Sequence, residues 1–365
     1  MKILLFEWRD IKNPLSGGSE IYFHELAKTW IKKGHSVTII CSGWKDCKKE
    51  EEVDKIKIIR VGRPLSLYIK APLAYFKLKE KPDIIIDVEN GIPFFTPLFS
   101  RTKKILHIHH VHKDVWFKEM KFPFSFIGWM IETKLMPLVY RKNKVITLSN
   151  SSAEEINKGK IGKVVGIVNP GIEFYKYKKY KKNKTPAILF LNRIKKYKGL
   201  KILLDAIKDL DNRGIKEIEV WVAGSGDELE NMKEYAKNLG LKNVIFYGRV
   251  DEEKKKELMQ KAWIFVNPSF IEGWGIVNIE ANYFHTPVIG SDVGGIKDSI
   301  IDGKTGFLFK YGESKNLSKK IEKIIKDNNL RKKLEKESYN WAKQFDWETK
   351  GEEYLKILDR VKKNE

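Results

Sequence analysis

Two rhythms alternate along the chain. Short apolar runs at Ile3–Phe6, Val37–Cys41, Lys57–Val61, Ile84–Asp87, Lys104–Ile108, Val145–Leu148 and Val164–Val168 have the length and composition of buried strands. Between the first two, Ile21, Phe23, Leu26, Ala27, Trp30 and Ile31 recur at helical spacing, and Gly34 follows where a helix would stop. The pattern starts again at Ala187–Leu191, Ile218–Ala223, Val244–Tyr247, Trp263–Val266 and Pro287–Gly290, with Leu200, Leu203, Leu204, Ile207 and Leu210 on one face of an intervening helix. Further helical patterns cover about 313–327 and 329–343, and a last amphipathic one follows Phe345-Asp346-Trp347. Strands alternating with helices predict doubly wound parallel sheets. Two such halves predict an α/β protein of two domains, with ligands beyond the carboxyl ends of the strands.

The length of 365 residues suits two cores rather than one. The break falls at 172–185, where Tyr175, Tyr177 and Tyr180 sit among lysines from Lys176 to Lys184, and reads as a solvated linker. The net charge of +22 has three readings: nucleic acid, an anionic membrane surface, or a generally lysine-rich composition with no partner behind it. No zinc-finger, RNP or KH motif accompanies the charge, so nucleic acid is not favoured. No run is long enough to cross a bilayer. The opening MKILLFEWRD meets charge at once and reads as a first strand rather than a signal peptide. Cys41 and Cys47 read as reduced thiols, which suits a cytoplasmic protein. Lys121–Lys142 reads as a core helix, with a membrane-contact helix as the sharper alternative.

The chemistry concentrates after the strands. Pro268 to Gly295 sets Glu272 and Glu280 eight positions apart, with Gly273-Trp274-Gly275 between a strand and the helix from Ile276 to Phe284. Bare amides and a helix N-terminus there suit an anion, and the two carboxylates suit hydroxyls of a sugar and a ribose. Gly17-Gly18-Ser19-Glu20, Gly224-Ser225-Gly226-Asp227 and Gly248-Arg249-Val250 follow strands in the same manner. Asn192-Arg193 to Lys198-Gly199 crowds cations onto one turn. The run His107-Ile108-His109-His110-Val111-His112 places His107 and His109 on one strand face, His110 and His112 on the other. It is open to three readings: a zinc site, structural histidines, or part of an active cleft. Asp209-Leu210-Asp211 lies at a helix end and reads as solvated charge.

The stretch from Glu272 to Gly295 resembles the signature of the family 4 retaining glycosyltransferases. The resemblance implies a GT-B fold of two Rossmann-like doubly wound parallel-sheet domains facing a central cleft. It implies an acceptor-side domain over 1–171, a linker at 172–185, a nucleotide-sugar domain over 186–344, and a terminal helix over 345–365 packing back on the first domain. The implied reaction moves a hexosyl-type unit from a nucleoside-diphosphate sugar to a carbohydrate or lipid-linked acceptor hydroxyl with retention. His109 and Glu272 would be the catalytic positions, with Trp116 below as a sugar-stacking or core aromatic. Gly17, Gly18, Arg193, Lys198, Gly224, Gly248, Val250, Glu272, Gly273, Trp274, Gly275, Ile276, Val277 and Glu280 would bind the donor, Glu280 at the ribose. No cofactor or metal is expected. The chain departs from the family pattern at Asn192, where Gly is usual, and at Lys297-Asp298, where Pro-Glu is usual. The rival readings are a basic nucleic-acid-binding protein on a degenerate enzyme fold, and another GT-B enzyme such as an epimerase.

Overall fold

The computed structural model describes residues 1–113, 115–174 and 178–363. The chain divides into two units: Met1–Gly171 with Asp346–Glu365, and Ile172–Phe345. Each is built on its own sheet.

In the first unit the strands are β1 (Lys2–Phe6), β2 (Ser36–Cys41), β3 (Glu50–Val53), β4 (Ile56–Arg60), β5 (Ile84–Glu89), β6 (Lys104–Ile108), β7 (Lys144–Thr147) and β8 (Lys163–Ile167). Their spatial order is β3-β4-β2-β1-β5-β6-β7-β8, parallel except for the β3–β4 pair. Burial on both faces explains the apolar runs Ile3–Phe6 of β1 and Ile84–Ile86 of β5. Leu4, Phe6, Leu67 and Tyr75 build one core cluster, and Leu106, Ile108, Met136 and Tyr140 another. The order turns back on itself between β1 and β5, which is the switch point of this sheet. The terminal helix Trp347–Lys363 packs on the helix Gly18–Lys32. Trp30 Nε1 donates to the Gly351 carbonyl at 3.0 Å, and a Cβ on Gly351 would lie 2.5 Å from the Thr29 side chain.

The second unit holds β9 (Ala187–Leu191), β10 (Glu219–Ala223), β11 (Val244–Gly248), β12 (Ile264–Asn267), β13 (Val288–Ser291) and β14 (Gly306–Phe309). Their order is β11-β10-β9-β12-β13-β14, all parallel, with the switch point between β9 and β12. The helix Leu200–Asn212 buries Leu200, Leu203, Leu204, Ile207 and Leu210, the face its spacing predicts.

Three segments differ from the sequence reading. β3 reads EEEV and carries no apolar alternation; it is an edge strand whose acids stay half in water. β14, the four residues GFLF, is too short to announce itself. The expected solvated linker is anchored where it is described: the Tyr180 amide donates to Gln260 Oε1 at 3.0 Å, and Lys182 Nζ to the Ala262 carbonyl and Thr286 Oγ1 at 2.7 and 2.6 Å. Burial pushes the Lys182 ammonium down to about 7. Tyr175, Lys176 and Tyr177 lie outside the described residues.

Candidate active site

In the second unit, five loops leave the carboxyl ends of adjacent strands along one crest. The loop after β9 carries Arg193 and Lys198, that after β10 Gly224, that after β11 Arg249 and Val250, that after β12 Glu272 to Gly275, and that after β13 Gly294-Gly295. At the switch point, the loops after β9 and β12 meet through side chains. Lys198 Nζ is paired with Glu272 Oε1, and both are largely shielded, their side chains 9% and 20% exposed. Ser269 Oγ also reaches Glu272 Oε1 at 3.4 Å. Arg193 stands exposed on the same turn and makes no ion pair among the described residues.

The glycines fit this crest sterically. Gly199, at φ +73°, lies so close to the next loop that a Cβ would sit 2.1 Å from the Pro268 carbonyl oxygen. A Cβ at Gly295 would sit 2.0 Å from the Gly273 carbonyl, and the Gly295 amide donates to the Glu272 carbonyl at 2.9 Å. Gly224 packs as tightly on Asn192, whose side chain accepts from the Arg193 amide at 3.0 Å. Gly275 takes the left-handed conformation (φ +80°) that starts the helix Ile276–Tyr283. Gly248 is left-handed as well, with open space around it.

Two donor positions have side-chain partners of their own within this unit. Trp274 is buried against Phe345, ring centroids 5.5 Å apart, so its main chain rather than its indole faces the turn. Glu280 belongs to a separate pair: its Oε1 lies 3.0 Å from Lys255 Nζ, in a recess also lined by Glu252, Tyr283 and Phe284. Burial alone would lower the Lys255 pKa; Glu280 and Glu252 outweigh it and the net shift is upward. Ile276 and Val277 are half-buried on the first turn of that helix.

The first unit has a polar cluster at its own switch point. Glu7 directly follows β1 and is buried; its Oε1 accepts from the Trp8 amide at 3.1 Å, Ser19 Oγ at 3.2 Å and Asn90 Nδ2 at 2.9 Å. Burial, with Glu20 nearby, raises its pKa well above the usual carboxylate range. Ser19 also shares a hydrogen bond with His109 Nε2 at 2.7 Å. Gly17 donates its amide to Glu20 Oε2 at 2.7 Å, and Gly18 has nothing near its Cβ position. Sequence reading picked His109 and the Gly-Gly turn but passed over Glu7 and Asn90. The available signal was an acid placed directly at the end of the first strand in KILLFE.

The histidines fall into the two expected pairs, although β6 itself ends at Ile108 and only His107 lies on it. His107 lies edge-on to His109 at 4.7 Å and meets Tyr354 Oη through Nδ1 at 3.2 Å, a structural role. His110 and His112 rings lie 4.4 Å apart on the other side. Among the described residues, only Glu89, His112 and Glu132 group with metal-ligand spacing, their ligand atoms within 4.8 Å of one another. Glu132 already accepts from the His112 and Lys113 amides at 2.6 Å each, and Trp116 Nε1 reaches it at 3.3 Å. Trp116 packs under Gly91 and Gly128.

Burial, with His112 adding to it, lowers the His109 imidazole to about 3. The folded protein therefore keeps it neutral where the unfolded chain protonates it, below about pH 6.5. Its contribution to stability is complete above that value and shrinks as pH falls from 6.5 towards 3, by up to about 1.4 kcal/mol per pH unit. His109→Gln is expected to flatten this part of the acid-stability curve, which denaturant titrations at stepped pH will read. An unchanged slope would place the acid sensitivity elsewhere.

Residues 16–174 match a family model described as Glycosyltransferase Family 4, and residues 172–341 match one described as Glycosyl transferases group 1. The capsular polysaccharide biosynthesis glycosyltransferase CapM of Staphylococcus aureus is 28% identical over 330 residues, 83% of this chain and 84% of its own. Among solved structures, the sucrose-phosphate synthase of Thermosynechococcus elongatus superposes with a TM-score of 0.82 at 19% identity, covering 100% of both chains. The Anabaena protein HepE, solved in complex with UDP-glucose, superposes at 0.75 with 18% identity, covering 98% of this chain and 99% of its own.

Proposed function

Because the chain belongs to the family 4 glycosyltransferases and has their GT-B fold, we propose that it moves a hexosyl unit from a nucleoside-diphosphate sugar to an acceptor hydroxyl with retention of the anomeric configuration. The observation that carries this is the Lys198–Glu272 pair at the switch point of the second sheet, walled by glycines that pack directly against neighbouring main chain. A diphosphate entering there would meet Lys198, Arg193 and the N-terminus of the helix Ile276–Tyr283. Glu272, released from Lys198, would accept hydrogen bonds from hydroxyls of the donor sugar, and Glu280 from the ribose. In the step itself the bond from the anomeric carbon to the diphosphate oxygen breaks and a new glycosidic bond forms. The acceptor proton passes to the departing phosphate. His109, neutral and tied to Ser19, would stand on the acceptor side. The protein's own cations balance the leaving group, so no metal enters this reading. Glycan, glycolipid or polysaccharide synthesis is the setting it fits, and HepE's UDP-glucose makes a UDP-sugar the first donor to try.

A panel of UDP-, GDP- and ADP-sugars tests the reading through thermal stabilisation, in buffer with and without EDTA, since a bound donor raises apparent stability by mass action. One nucleotide sugar is expected to raise the midpoint in both buffers, followed by transfer to a sugar acceptor. Indifference to the whole panel would defeat the proposal. Glu280→Ala removes one acceptor from the site and is expected to weaken that donor's binding roughly 10- to 100-fold, the worth of a charge-assisted hydrogen bond.

A further inference from the structure

The helix Pro64–Phe76 of the first unit turns a normal apolar face inward, burying Leu67, Ala71 and Tyr75. Its outer face is also apolar. Leu65, Ile69, Leu73 and Phe76 recur every three or four residues and are 88%, 72%, 56% and 57% exposed. A second such surface lies on the helical segment from Phe124 to Tyr140 and the turn before it, where Phe122, Phe124 and Leu138 are 81%, 61% and 67% exposed. That segment was expected to be a core helix, yet it buries only one side. Single exposed apolar residues are ordinary, but two stripes of this size are not.

The stripes flank the same loop. Tyr68, on the first helix, donates to the Ile92 carbonyl at 3.2 Å and stacks on Phe94 at 5.2 Å. One residue earlier, Gly91 lies against Trp116, which also fills the space under Gly128 of the second segment. The charge around them has one sign. From Arg63 to Lys79 there is no Asp or Glu, and Arg63, Lys70, Lys77 and Lys79 are exposed. From Lys121 to Lys142 the only acid is Glu132, which is buried and spent on backbone amides, while Lys121, Lys134, Arg141 and Lys142 are exposed.

We propose that these two stripes form one docking surface for an anionic lipid bilayer, the apolar side chains entering the acyl boundary and the lysines and arginines meeting lipid phosphates. Protein interfaces are depleted in lysine, whereas an interfacial helix combines apolar wedges with exactly this kind of basic border. Each Lys or Arg near an anionic surface contributes about 1 kcal/mol, and long stems let the ammonium groups reach the headgroups. The inference deepens the acceptor half of the proposed function. It rests on that reading only for why a lipid surface would be useful, namely to present a lipid-linked acceptor.

Flotation with vesicles of phosphatidylcholine alone, and with vesicles enriched in phosphatidylglycerol, tests it on the full chain. The protein is expected to float with the anionic vesicles and to be released by salt. The double variants Ile69→Ser with Leu73→Ser, and Phe122→Ser with Phe124→Ser, are each expected to lower the bound fraction roughly tenfold or more, while melting midpoint and donor stabilisation stay as in the parent. Wild-type protein left at the bottom with anionic vesicles, or variants floating as well as wild type, overturns the proposal. So does a dimer, seen by light scattering, that the same variants dissolve without any vesicle binding, since the occupant is then a second copy. An intact donor response in any of these cases leaves the glycosyltransferase reading standing.

Discussion

Lys198→Ala is expected to lower transfer about 100- to 1000-fold, with the fold intact. Removing one preorganised group that stabilises charge forming in the transition state typically costs about 3–4 kcal/mol, and Lys198 is the shielded cation of the crest, so its charge acts with little screening. In the proposed reaction the departing diphosphate would gain negative charge as the anomeric bond breaks, and Arg193, exposed on the same turn, would offset only part of it. The loss should fall on kcat more than on KM, because the stabilisation grows as the bond breaks. Glu272 keeps Ser269 and partial access to water in the variant, so its carboxylate is not stranded and the melting midpoint should move little. Steady-state kinetics with the donor found by the panel, beside a thermal melt, decides it. A folded Lys198→Ala protein with near-normal turnover would remove the switch-point site from the mechanism.

Gly199→Ala, one residue on, is expected to injure the fold instead. The position combines a left-handed backbone with a carbonyl oxygen 2.1 Å from where the methyl would be. The conformation alone costs about 1–2 kcal/mol for a residue with a side chain, and forcing the loops apart adds roughly 1–3 kcal/mol. Both neighbours of the contact are main chain, so no rotamer can relieve it. A denaturant midpoint shift corresponding to about 2–5 kcal/mol, with an unchanged slope, is the expected result. Gly214 is also left-handed but has open space around it, so Gly214→Ala should show the conformational part alone. Equal losses at the two sites would mean that the approach of Pro268 contributes nothing.

Much of this architecture could be read from hydrophobic rhythm, because parallel strands buried on both faces leave unbroken apolar runs. Twelve of the runs named from sequence coincide with strands to within a residue or two. What escaped was β3, whose glutamates hide an edge strand, and β14, fixed by its neighbour β13 rather than by its own four residues. The glycine turns were legible for a similar reason: few other residues can stand where main chains nearly touch. Partner choice was not. Nothing in spacing says that Lys198 would meet Glu272 across two loops, that Glu280 would turn to Lys255, or that Trp274 would point into the core. Glu7 and Asn90 were invisible because they follow different strands, and only the reversal of strand order beside β1 brings them together.

The helix Trp347–Lys363 gives the chain an unusual schedule of assembly. It fills the first unit with Tyr354, Leu355 and Leu358 and gives His107 its hydroxyl partner, yet it leaves the ribosome after the whole second unit has been made. The portion synthesised first must therefore wait with part of its interior uncovered, while the portion synthesised second can close on itself earlier. The first lobe is made before the second and its closing helix after it, so a chain truncated near residue 345 would carry a completed second lobe and an unsealed first one.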